Sequence, residues 1–169
     1  MPCSFKIRIK MAKIELGTTY LYEEDRPENS LRFFNTVSKD VNGLLITRTN
    51  PTMLKRNYSI DENRTTIYWL TDIDSTDNTV DPNEVERISH IISEFINDCL
   101  KNNKESIILF DGLEYIITKN SFTKTLNLVH HIKDVVSMYN TLLIIPLSPN
   151  AIELRELKLL ERELEVIRF

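Results

Sequence analysis

Four consecutive apolar residues, Ile107-Ile108-Leu109-Phe110, followed at once by Asp111-Gly112, constrain this chain more than any other stretch. A strand with one wet face alternates apolar and polar side chains, whereas an unbroken apolar run has both faces covered, as in the middle of a parallel α/β sheet. The run therefore predicts a central strand. Asp111 stands where that strand leaves the sheet, and in open α/β folds ligands gather at the carboxyl ends of the strands.

The rest of the chain fits around such a strand. At 169 residues it is long enough for one core with helices on both sides of a sheet, and 41% apolar residues with three glycines argue against disorder. Acidic and basic residues are mixed and the net charge is −4, so a broad positive field for nucleic acid is not expected. Cys3 and Cys99 lie far apart, which fits a reducing cytoplasm better than a disulfide. Phe5 to Leu16 is interrupted by Lys6, Arg8, Lys10 and Lys13, so neither a signal peptide nor a membrane span is expected.

Residues 1–14 are basic and poorly patterned, and are expected to be a tail or an edge strand, with residues 15–169 forming a single α/β domain. Tyr20-Leu21-Tyr22 predicts a first strand, and Leu31, Phe34, Val37 and Val41 a first helix stopped by Asn42-Gly43. Leu44-Leu45-Ile46 predicts the second strand, Thr65 to Leu70 the third, and Thr71 to Val80 a polar loop carrying Asp72, Asp74 and Asp77. Asp81-Pro82-Asn83-Glu84 has the pattern of a capping box, and Val85, Ile88, Ile92, Phe95 and Cys99 continue it as a helical stripe. After the central strand, Asn120-Ser121 caps a helix with its face at Phe122, Leu126, Val129, Ile132, Val136 and Tyr139. Leu142 to Ile145 is a fifth buried strand closed by Pro146. Ser148-Pro149 opens a last helix with Leu154, Leu157, Leu160, Leu164 and Ile167. Strands alternating with helices mark a parallel sheet with right-handed crossovers.

Tyr20 to Arg48, a strand, a loop, a helix and a second strand, resembles the start of the RecA and KaiC type of P-loop ATPase, and Ile107 to Tyr115 resembles its Walker B strand. The stretch from Tyr20 to about Glu165 is similar to an archaeal family known as domain of unknown function 835. The residues carrying that likeness are Tyr20-Leu21, Ile46-Thr47-Arg48 before Pro51, Trp69-Leu70-Thr71, Asp111-Gly112-Leu113-Glu114-Tyr115 and Leu159-Leu160-Glu161-Arg162-Glu163. The resemblance implies an archaeal setting, attachment to signalling proteins, and no established activity. The RecA likeness implies a three-layer sandwich with a mainly parallel five-stranded core sheet in the order 3-2-4-5-1.

A P-loop needs Gly-x-x-x-x-Gly-Lys-Ser/Thr, so that bare amides wrap the phosphates and a lysine reaches them. Here the corresponding residues run Glu23-Glu24-Asp25-Arg26-Pro27-Glu28-Asn29-Ser30: glutamates replace both glycines, Asn29 replaces the lysine, and only Ser30 keeps its type. Each like-charge contact near 4 Å costs roughly 1 kcal/mol in water and about 4 kcal/mol near a protein surface. A few of these cancel the roughly 8 kcal/mol of micromolar binding. No nucleotide-binding residue is therefore assigned.

Asp111 has two readings: a magnesium-organising acid as in Walker B, or a structural group bonded to the loop. Glu114 is either a water-activating base or a polar residue on the turn after the strand. Glu24, Asp25 and Asp111 together resemble the magnesium pocket of a phospho-acceptor receiver, although no lysine follows Ile145-Pro146-Leu147. Arg48 either neutralises these acids or binds an anion. Trp69 and Tyr115 belong to a contact surface or to the core. His130 and His131 point about 100° apart and cannot share a metal; Asp134 is the partner expected for either. The leucines of the last helix pack on the sheet or, alternatively, form a homodimer seam. No catalytic residue is assigned. The expected function is a non-catalytic interaction or regulatory module with a protein partner and no cofactor. The alternative is a magnesium-dependent phosphoryl-transfer enzyme or phospho-acceptor switch at the edge formed by Glu24, Asp25, Asp111, Glu114 and Arg48.

Overall fold

The computed structural model describes residues 7–9, 12–75 and 78–168. Strands β1 (Ile7–Ile9) and β2 (Ala12–Ile14) pair antiparallel with each other in a separate two-stranded sheet. The expected tail is thus a hairpin where it is described, while Cys3 and Met11 lie outside the described residues. The main sheet comprises β3 (Thr19–Glu23), β4 (Asn42–Thr47), β5 (Thr65–Leu70), β6 (Thr79–Val80), β7 (Ser106–Phe110), β8 (Thr141–Leu147) and β9 (Glu165–Arg168). Its order is β6-β5-β4-β7-β8-β3-β9 and every ladder is parallel. Seven strands replace the five expected, because both edges carry an added strand.

Helices α1 (Glu28–Val37), α2 (Pro51–Asn57), α3 (Val85–Lys101), α4 (Leu113–Lys119), α5 (Phe122–Ser137) and α6 (Leu154–Glu163) cover the sheet. Leu31, Phe34 and Val37 of α1 and Leu54 of α2 pack with Tyr20, Leu45, Leu109 and Ile144 on one face. Ile88, Ile92 and Ile96 of α3, Val129 and Ile132 of α5 and Leu160 of α6 pack with Leu21, Ile46, Ile108 and Ile145 on the other. The alternation of a strand's side chains between two faces splits these sets, and it explains why all five residues of β7 are buried.

Several local expectations are corrected. Asn42-Gly43 does not stop α1, which ends at Val37, but begins β4. A Cβ on Gly43 would meet Phe34 Cζ at 2.8 Å and Ser38 Cβ at 3.2 Å, so the bare backbone lets α1 lie close on the sheet. The capping box at Asp81 does not form. Asp81 instead accepts from the amide and side-chain nitrogens of Asn83, both at 2.8 Å, which holds a turn before Val85 and lowers its pKa. The reciprocal cap appears on α6, between Glu153 and Glu156. Pro146 does not close β8, which runs to Leu147. In β8, the amide of Leu143 turns toward β3, donating to Thr18 O at 3.2 Å, so position 146 turns toward β7. The β7 ladder ends at Leu109↔Ile144, and a missing N–H is tolerated beyond it.

The last helix stops at Glu163, and Leu164 and Ile167 belong to its cap and to β9, where both are buried. The proposed seam is therefore not one helical stripe. Val80 pairs with Leu70 inside what was expected to be a loop, and Asp77 of that loop lies outside the described residues. Cys99 sits on the buried stripe of α3 as expected. His130 faces Glu163 at 3.7 Å on α6, not Asp134. No helix among the described residues is long and apolar enough to cross a membrane.

Candidate functional site

Parallel strands with helices on two faces create crevices where neighbouring strands send their connections to opposite faces. β4 leads into α2 and β7 into α4, on opposite faces, and so do β3 into α1 and β8 into α6. The carboxyl edge therefore has two candidate crevices, one between β4 and β7 and one between β8 and β3.

The first crevice holds Thr47, Arg48, Asp111 and Gly112. Asp111 is buried, its amide donates to Ile46 O at 2.8 Å, and Thr47 Oγ1 donates to its Oδ2 at 3.1 Å. Thr47 Oγ1 in turn accepts from Thr49 N at 3.0 Å, so one hydroxyl ties the loop after β4 to the carboxylate. Burial pushes the Asp111 carboxyl up to about 6 and the charge of Glu114 adds to this, while the Thr47 bond, the Arg48 amide and the Arg48 charge oppose it. Asp111 is thus bonded to Thr47 and to the backbone of β4.

Arg48 is exposed but fixed. Its Nη1 donates to Leu70 O at 2.6 Å, and its guanidinium carbon lies 3.8 Å from the centroid of the Tyr115 ring. Trp69 Nε1 donates to Arg48 O at 3.3 Å. Both aromatics are half-buried and clasp the arginine. Gly112 completes the crevice. Its φ of +117° is open to few residues but glycine, and a Cβ there would meet Leu70 Cδ2 at 2.8 Å and Arg48 Cγ at 2.9 Å. The side chain of Arg48 thus fills the mouth of the crevice against bare backbone.

The second crevice is closed by carboxylates used as acceptors. Glu24 bends over the start of α1 and accepts from Asn29 N at 3.0 Å, from Ser30 N at 3.1 Å and from the Ser30 hydroxyl. The first amides of a helix lack intrahelical partners and carry its positive end, which favours an anion. The chain supplies that anion itself. Burial pushes the Glu24 carboxyl up, and the bonds from Ser30 and Asn29 pull against that shift. Asp25 Oδ1 accepts from Ser148 Oγ at 3.3 Å, and Ser148 N donates to Glu114 Oε1 at 2.8 Å, so Ser148 links the loop after β3 to α4. Glu114 stands in the first turn of α4, not on the expected open turn. Glu23 is paired with Arg168 Nε at 2.7 Å.

These contacts separate the residues that a magnesium pocket would gather. Asp111 leaves β7 and Glu24 leaves the loop after β3, with β8 between them. Among the described residues, no group of three or more His, Cys, Asp or Glu side chains is close enough to hold a metal ion. The Arg48–Tyr115 stack and the Ser148 link were not foreseen. From the sequence, Arg48 is expected to neutralise the acids or to bind an anion, and Ser148 to open a helix.

A parallel sheet of this order with helices on both faces defines an α/β domain with its crevices at the carboxyl edge. The chain belongs to the family described as protein of unknown function (DUF835), whose profile matches residues 23–164. No curated protein matches its sequence. Two solved structures from Pyrococcus horikoshii share the fold. One comes from a structural study of PH0250, with 14% identity, a TM-score of 0.59, and coverage of 89% of this chain and 80% of that one. The other is the uncharacterized protein PH0321 in complex with an unknown peptide, with 13% identity, a TM-score of 0.61, and coverage of 93% and 79%.

Proposed function

We propose that this chain is a non-catalytic protein-interaction module with a regulatory, signalling-associated role in the cytoplasm, on a P-loop-like scaffold that has lost nucleotide binding. The observation that carries the reading is the Glu24 carboxylate on the amides of Asn29 and Ser30. In a P-loop the helix-start amides receive phosphate. A carboxylate tethered six residues away competes as an intramolecular ligand at an effective concentration of order millimolar or more. Occupation, more than the charge repulsion expected from the sequence, is the reason for the loss. That PH0321 was solved with a peptide supports protein interaction as the use to which such a scaffold is put.

The test is a thermal-shift series with magnesium, ATP and GTP, alone and combined. A ligand at a hundred times its dissociation constant adds about 2.7 kcal/mol, which is well resolved. No rise in Tm is expected. A nucleotide-dependent rise contradicts the reading. A magnesium-dependent rise abolished by Asp111→Asn instead supports a metal-dependent switch at the acidic edge.

A further inference from the structure

A cleft of about 540 Å³ opens between the solvent side of α1 and the end of α2. Ordinary ligand sites have a similar size, roughly 300–1,000 Å³, but are mostly apolar, whereas this one is walled by polar side chains. Glu28, Arg32 and Asn35 follow one another at helical spacing on α1, and Lys39 continues the stripe in the turn beyond Val37. Asn57 and Tyr58, where α2 ends, form the facing wall. Such a cleft holds its occupant by charge and hydrogen bonds rather than by an apolar anchor.

Its polar groups are unpaired. Arg32 and Lys39 are exposed, and their side chains make no hydrogen bond or ion pair among the described residues. Elsewhere Arg168 is paired with Glu23 and Glu161, Lys55 with Glu62, and Lys133 with Glu163. Outside the described residues the only acidic side chain is that of Asp77, which in sequence lies between β5 and β6. Arg32 reaches the Tyr58 hydroxyl: burial raises the pKa of that phenol, Glu28 raises it further and Arg32 lowers it. The side-chain amides of Asn35 and Asn57 also bond nothing among the described residues, and each offers the donor and the acceptor that a peptide group needs.

Spacing favours a chain over a small anion. Arg32 and Lys39 are two helical turns apart, about 10 Å along the axis. Two carboxylates three residues apart on a segment in the polyproline conformation point the same way and are separated by about 9 Å. A helical partner has its backbone amides paired internally, so the two asparagines match an extended one. We infer that this cleft binds an extended acidic segment of a partner protein, with two carboxylates three residues apart against Arg32 and Lys39 and no acid opposite Glu28. Asn35 and Asn57 bond its main chain. This deepens the interaction-module reading and rests on it.

The test pans a random peptide library displayed on phage against the full chain, and measures the most enriched peptide, synthesised with a fluorophore, by anisotropy. Arg32→Glu and Lys39→Glu should each weaken binding at least about fivefold. Lys124→Glu makes the same change in net charge at an exposed position of α5, across the sheet, and should leave binding within about twofold. A second arm independent of any variant's folding uses the same peptide with its acids replaced by the corresponding amides, which should weaken binding by a similar factor. An enriched peptide without acids, equal losses from all three variants, or no loss from Arg32→Glu and Lys39→Glu overturns the cleft while leaving the interaction module standing. No enriched peptide at all overturns both. Displacement of the peptide by inorganic phosphate, where sodium chloride of the same ionic strength has no effect, shows a small-anion site and overturns the peptide as its occupant.

Discussion

The carboxyl edge and the β5 margin of the same sheet are in opposite states. At the carboxyl edge, where the topology directs ligands, the chain has filled each opening with its own groups: Glu24 on the α1 amides, Arg48 against Gly112 and Tyr115, and Ser148 between Asp25 and Glu114. At the β5 margin the backbone N–H and C=O of Ile67 turn away from β4 with no partner among the described residues, and Thr65 to Tyr68 carry no charge. The contrast teaches that position in a fold nominates a site without making it one. What decides is whether polar groups there already have partners.

The largest effect that breaks this contrast is expected at Gly112. Gly112→Ala must hold a side chain at φ +117° and push it against Arg48 and Leu70. Backbone strain and overpacking together cost about 2–4 kcal/mol, read by urea denaturation. A loss under about 0.5 kcal/mol shows that the crevice is not packed as described.

Asp111→Asn tests the same crevice with the opposite sign. Burial lifts the Asp111 carboxyl from its ordinary 3.8 to about 6 in the folded protein, so the folded protein holds the extra proton between those values. The contribution of this group to stability is then highest below about pH 4, falls as pH rises toward 6, and stays lower above it. Asparagine keeps an acceptor for Thr47 without the buried charge. It should stabilise the protein by up to about 3 kcal/mol at pH 7.5 and by almost nothing at pH 4. Melting curves across that range check this, and an equal change at both ends contradicts it.

Glu24→Ala removes the acceptor for two amides and a hydroxyl, and should cost about 1–2 kcal/mol. It sharpens the comparison if millimolar phosphate raises the Tm of the variant and not of the parent, because an opened helix start should then accept an outside anion. The smallest effect is expected on the β5 margin. Thr66→Lys should change stability by less than about 0.5 kcal/mol, because Thr66 is exposed and its backbone pairing is kept.

The elements most legible in the sequence were those with long apolar signals. β7 was marked by its unbroken run and α3 by its stripe of Val85, Ile88, Ile92 and Cys99. β9 was hidden because Leu164 and Ile167 continue the leucine spacing of α6, although the chain leaves the helix between them and the last turn. β6, at two residues, is too short for any periodicity. α4 was missed because Ile116, Ile117 and Thr118 are β-branched and do not favour helix locally; packing of Leu113 and Ile116 in the core overrides that preference. At the site, the sequence exposed the acids but not their partners. Four carboxylates between Glu23 and Glu28 suggested repulsion, whereas Arg168, Ser148 and the α1 amides that engage three of them are distant in sequence or belong to the backbone.

The most direct measurement is an amide chemical-shift titration of the protein with MgATP, watching Asn29 and Ser30. With Glu24 already bound to those amides, their resonances should stay in place up to millimolar nucleotide. A saturable displacement of both, reaching completion at lower concentrations, would contradict the claim that the helix start is occupied by the chain itself.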